Sequence, residues 1–220
     1  MPELESVMAE LLGKREHPWF EYLSDAVTRS PVILFHYPSN PSAGFEYLKR
    51  SVKLEFGSLT EQQPVGRRPV RPWVAEEFMV AFPDWKCEAI ALDAERTFWV
   101  KVTILHSEFH RPANKPTPER FSRHYADTAA LATHPLGRSA MDQRELCRRV
   151  VEWKTRFFDS SWVNYGDAKP GSFRLVPPNE RLRALGRDYQ AMRDMYLDKS
   201  ASFGEIIDVL ADLERRINKP

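Results

Sequence analysis

Hydrophobic residues recur along this chain with more than one period, and the change from one to the next divides it. Near the N-terminus, Leu4, Val7, Met8, Leu11 and Leu12 return at intervals of three and four, which predicts a short amphipathic helix that Gly13 can end. Val32, Ile33, Leu34 and Phe35 form a brief apolar run between Pro31 and Pro38, the pattern of a buried strand. The stretch Ser51–Gly57 (SVKLEFG) alternates, with Val52, Leu54 and Phe56 facing one way and Lys53 and Glu55 the other. That alternation predicts a strand with one face on the core. Pro38–Gly44 (PSNPSAG) reads as a loop, Leu59–Pro72 as an extended segment broken by prolines, and Cys87–Leu92 (CEAIAL) as a further strand.

Beyond residue 92 the period becomes helical. Phe98, Val102, Leu105 and Phe109 predict a helix over Asp93–His110. A second helix is predicted from about Pro118 to Thr133, with Pro118 in its first turn. A third spans Asp142–Phe158, where Asp142 and Glu145 have capping-box spacing. Two more apolar faces follow, Leu182 to Tyr196 and Phe203 to Ile217, separated by Asp198–Ser202. The expectation is an α+β fold: a mixed sheet in a first domain, residues 1–92, and a helical second domain, residues 93–220.

Composition narrows the functional classes. The 220 residues are 42% hydrophobic and 29% charged, with a formal net charge of +1, so overall charge points neither to nucleic acid nor to a membrane surface. No run of about 18 apolar residues and no signal-peptide pattern occurs, so a cytoplasmic protein without membrane contact is expected. Cys87 and Cys147 are expected as two buried thiols in a reducing compartment.

Common catalytic signatures are missing: no glycine-rich phosphate loop, no GxSxG, no zinc-spaced cysteines and no HExxH. His106 and His110 (HSEFH) share a helix face, but a zinc site needs a third ligand and none suggests itself. Lys101 interrupts an apolar helix stretch between Val100 and Val102, so its stem should be half-buried. It reads either as a snorkelling lysine or as an ammonium aimed at phosphate. Asp127 follows Arg123 and His124 at helical spacing, which by itself suggests only an intrahelical ion pair.

Longer motifs change that weighing. FHYPS (35–39), VKLEFG (52–57), RPVRPWVAE (68–76), AERTFWVKVTILHSEFHRP with ERFSRHYADTAAL, and RFFDSSWVNYGDAKPGSFRLVPP (156–178) resemble, in this order, the AbiEii/AbiGii family of nucleotidyltransferase toxins. The resemblance spans nearly the whole chain. It implies part of a nucleotidyltransferase sheet, transfer of a nucleotide from a nucleoside triphosphate to an RNA (such as tRNA) or protein acceptor, Mg²⁺ as cofactor, and a cognate antitoxin as partner. By the same resemblance Glu55, Lys101 and Asp127 are the catalytic positions. Lys53, Arg123 and His124 are then substrate-binding, and Glu55 is the metal ligand.

The family's metal site begins with a Gly-Gly or Gly-Ser turn followed by an Asp-x-Asp pair. Gly57-Ser58 and Gly171-Ser172 lead to no such pair, and Asp-x-Asp occurs nowhere among these 220 residues. One sheet carboxylate cannot satisfy two near-octahedral Mg²⁺ ions. The expectation is therefore a chain lacking the N-terminal metal-binding segment, incomplete as a catalyst and unable to hold Mg²⁺ by itself. Its sheet should leave an edge or apolar face for the missing N-terminal half or for a second copy. The alternative is a non-catalytic antitoxin- or RNA-binding module, with Arg67, Arg68 and Arg71, then Arg111, Lys115, Arg120 and Arg123, then Arg144, Arg148 and Arg149 either tracking phosphates or forming solvated faces.

Overall fold

The computed structural model describes residues 2–14, 16–25, 30–38, 49–57, 61, 63–81, 86–196 and 201–219. Most of the loop expected at Pro38–Gly44 lies outside them. The chain forms two compact units, residues 1–61 with 193–197, and residues 62–192 with 198–220. Helices and small sheets coexist, as an α+β fold requires. The strands, however, pair antiparallel throughout and lie in two separate sheets, where a single mixed sheet is expected.

In the first unit, helix α1 (Pro2–Leu12) ends at Gly13, whose φ of +90° is strained for any residue with a side chain. Strands β1 (Phe20–Ser24), β2 (Pro31–Phe35) and β3 (Val52–Glu55) form a sheet with β2 in the middle. Trp19 and Val32 are its buried residues, and Phe35 packs against Trp19 and Phe20 at ring distances of 6.3 and 5.2 Å. The Glu5 carboxylate accepts the Trp19 and Phe20 amides at 2.6 and 3.1 Å, tying α1 to the start of β1. Two expectations fail here. β1 (FEYLS) is a strand that the hydrophobic pattern does not announce. The apolar face of β3 is not on the core either: Val52 and Leu54 are 48% and 44% exposed. α1 has no buried residue at all.

The second unit holds the ladder of β4 (Val65–Val70) and β5 (Cys87–Leu92), the short helix α2 (Val74–Glu77), and the helical body. That body comprises α3 (Ala94–Phe109), α4 (Ser122–Thr133), α5 (Pro135–Asp142), α6 (Arg144–Phe157), α7 (Asn179–Ala191) and α8 (Phe203–Ile217). α3 runs through the middle and buries Phe98, Trp99, Val102 and Leu105 against α4, α5 and α6. Each such side chain contributes about 1.5–3 kcal/mol on leaving water. The Trp99 indole donates to the Ala140 carbonyl at 2.9 Å, so its polar edge is satisfied inside the core. α4 and α5 meet at Gly137, where a Cβ would lie 2.4 Å from the Leu131 carbonyl oxygen.

Helix ends differ from the local rules. α4 starts at Ser122, four residues after Pro118. Its cap comes from α7: the Asp188 carboxylate accepts the Arg120 and Ser122 amides at 2.8 and 2.9 Å and the Ser122 hydroxyl at 2.5 Å. Asp142 closes the unpredicted α5 instead of capping α6, and Gln143 precedes α6 without a side-chain cap. The capping box that does form joins Ser202 and Glu205 at the start of α8. Cys147 is buried as expected, but Cys87 is exposed.

Candidate functional site

Lys101 sits where α3 crosses α4. The next residue, Val102, is fully buried and Val100 and Lys101 are half-buried, so the stem of Lys101 runs along the packed side of α3 and leaves the ammonium at the helix–helix seam. The side chain is only 18% exposed, and its Nζ lies 2.6 Å from Asp127 Oδ2 and 3.1 Å from His124 Nδ1. Asp127 and His124 are three apart on α4, so they present a carboxylate and an imidazole on one face. The partner of Asp127 is thus across the seam. The intrahelical pair with Arg123 does not form; Arg123 is exposed and makes no ion pair among the described residues.

The electrostatics are specific. An ammonium can only donate, so His124 Nδ1 accepts, and the ring is the neutral tautomer with its proton on Nε2. Burial, then the Lys101 charge, pushes the His124 imidazole down to about 4. Lys154, on α6, also acts on His124; burial, with the Arg96 guanidinium behind it, lowers its ammonium to about 8. Lys154 has no carboxylate partner among the described residues, and its Nζ lies 4.6 Å over the Phe158 ring. The seam therefore concentrates positive charge around one carboxylate, an arrangement suited to a polyanion that competes for Lys101. The pattern of α6 gives Lys154 no prominence; only the packing of α6 on α3 brings it into play.

Glu55 and Lys53 belong to the first unit. They alternate onto one face of β3 and pair with each other, both at least half exposed. Lys101, His124 and Asp127 are therefore brought together, whereas Glu55 and Lys53 form a pair of their own on β3, and Arg123 makes no ion pair among the described residues. A divalent-metal centre is a poor fit to these side chains. Among the described residues no three His, Cys, Asp or Glu are grouped to hold a metal, and both site carboxylates already face an ammonium. His106 is no ligand: Nδ1 accepts the Arg174 amide at 3.1 Å and Nε2 donates to the Asn164 carbonyl at 3.1 Å.

Several members of the basic clusters face carboxylates. Arg67, Arg68 and Arg71 pair with Glu88, Asp93 and Glu76, Arg111 with buried Glu108, and Arg148 with Glu145 and Glu152. Among the described residues no helix is long and apolar enough to cross a membrane.

No curated protein and no solved structure matches the chain. A family model does: that of the nucleotidyl transferase AbiEii toxin of a type IV toxin–antitoxin system, over residues 1–209. That span runs from α1 into the first half of α8, with the Lys101–His124–Asp127 seam inside it, and the chain belongs to the AbiEii family of nucleotidyl transferase toxins.

Proposed function

We propose that the α3–α4 seam is the phosphate-handling half of a nucleotidyltransferase site. The observation that supports it is the Lys101 ammonium, mostly buried yet held only by Asp127 and a neutral imidazole. In nucleotidyl transfer an acceptor hydroxyl oxygen bonds to the α-phosphorus as the bond to the pyrophosphate oxygen breaks. Lys101 offsets the charge gathering on the phosphates, and Asp127 takes the hydroxyl proton. His124 holds Lys101 from the other side and carries no charge of its own at neutral pH. The acceptor is an RNA end or a protein. The cognate partner is an antitoxin.

A second reading is a binding module that engages the antitoxin. The exposed Leu4, Val7, Leu11 and Leu12 of α1 favour it, because that stripe is apolar and uncovered. The paired arginines count against an RNA-tracking surface.

Incubation of the chain with Mg²⁺, labelled nucleoside triphosphates and bulk tRNA tests both. No transfer is expected from residues 1–220 alone, and RNA retention should change little as salt rises. Transfer abolished by Lys101→Ala and by Asp127→Ala would contradict incompleteness while keeping the seam as the site. Transfer indifferent to both substitutions would contradict the seam itself. Steeply salt-sensitive retention would restore the RNA-binding module.

A further inference from the structure

At the C-terminal end of α3 lies a second polar cleft that the nucleotidyl-transfer reading does not use. Its volume is about 430 Å³, large enough for a nucleoside monophosphate. Phe109 and His110 form one wall, and Asn164, Asp167 and Arg174 the other.

The two walls are fixed by a buried histidine. His106 is 0% exposed, and its neutral ring spans them, donating from Nε2 to the Asn164 carbonyl and accepting at Nδ1 from the Arg174 amide. Asn164 has a φ of +49°, a left-handed conformation that asparagine tolerates better than most residues. Its side-chain amide donates to His110 Nε2 at 3.3 Å and to Asp167 Oδ2 at 3.1 Å. Because Nε2 accepts, His110 carries its proton on Nδ1.

Three polar functions on this cleft are then left over. Among the described residues, His110 Nδ1–H, Asp167 Oδ1 and the N–H groups of the Arg174 guanidinium make no hydrogen bond. Arg174 comes no closer than 3.8 Å to Glu214, whose Oε2 is taken by the Leu175 and Val176 amides, and its Cζ stands 5.7 Å over the Phe109 ring. One aromatic face, one acceptor, one neutral donor and one fixed cation make a specific set. It matches a flat heteroaromatic ring with an amino edge, joined to a single phosphate.

We propose that this cleft binds one nucleotide whose base carries an exocyclic amine. The base lies against Phe109, its amine donates to Asp167, a ring acceptor takes the His110 proton, and the phosphate meets Arg174. His106 acts as a positioning residue that holds both walls. The nucleotide is either free or the terminal unit of a single-stranded RNA, and the proposal does not depend on the Lys101 seam.

Binding to the full chain is followed through the ring resonances of His110 and Phe109, with AMP, CMP, GMP and UMP as probes. The amine-bearing nucleotides should bind about tenfold or more tighter than UMP, whose one ring donor, N3–H, lies between two carbonyl oxygens that would face the Asp167 carboxylate. Arg174→Ala should weaken all four, Asp167→Asn should erase the preference against UMP, and Lys101→Ala should change neither. A short RNA with the same terminal base binding about tenfold tighter than the mononucleotide would assign the RNA end. Equal affinity would assign the free nucleotide. Equal binding of all four nucleotides, indifference to Asp167→Asn and Arg174→Ala, or no shift of His110 and Phe109 would each overturn the proposal.

Discussion

Replacing Arg181 by alanine should destabilise the protein by about 3–5 kcal/mol, the largest single-residue loss expected here. Arg181 is 7% exposed and carries its charge into the body of the second unit. Nη1 donates to the Thr117 hydroxyl at 2.8 Å. Nη2 serves the carbonyls of Arg111, Pro112 and Lys115 at 3.1, 2.7 and 3.1 Å. One guanidinium thus closes the irregular stretch between α3 and α4, which forms no regular backbone ladder of its own. Removing it orphans carbonyls that water would reach only by opening that stretch. Arg181→Lys should recover little, because a compact ammonium cannot span four acceptors. Urea denaturation measures both; a loss under about 1 kcal/mol in Arg181→Ala would show that the stretch holds without its pin.

Acid should unfold the chain through histidine before its carboxylates are fully protonated. His124 has a folded value of about 4, below its ordinary 6.5, and burial also lowers His106 and His110. The unfolded chain therefore takes up these protons first. The His124 contribution is fully present above about pH 6.5 and is lost as pH falls toward 4, and those of His106 and His110 are lost in the same direction. Lys154 is charged in both states across that window, so it adds no slope. For His124 alone the loss is about 2–3 kcal/mol. Denaturation midpoints between pH 7 and 4 should fall accordingly, and His124→Gln should flatten part of the curve. Equal slopes in the two proteins would show that His124 is not buried against Lys101.

Helical periodicity made α3, α7 and α8 legible, because each presents a continuous apolar stripe to the core. α5 escapes that reading: it is eight residues long and opens on a proline, so too few turns exist for a period to show. β1 is shorter still, and four of its five residues are exposed. The start of α4 could not be read locally, since its cap, Asp188, arrives from α7. The Ser202–Glu205 box, in contrast, was written in the sequence in standard spacing.

The site divides along the same line. Lys101, His124 and Asp127 stand out because a family motif marks them and two helices of ordinary amphipathicity bring them together. The roles of Lys154, Arg181 and His106 could not be read from their own helices. Each sits in a locally unremarkable pattern, and its partners come from remote segments. Charged and polar residues gain their meaning from tertiary neighbours, which periodicity does not encode.

The phosphate role of the α3–α4 seam is tested most directly by the His124 ring itself. Its titration is followed by NMR with and without inorganic tripolyphosphate, in the native chain and in Lys101→Ala. A bound polyanion adds negative charge beside the ring, so the native midpoint should rise from about 4 by about one unit, and the variant should show no such rise. A midpoint that stays put in the native chain, or that climbs equally in Lys101→Ala, would contradict the account.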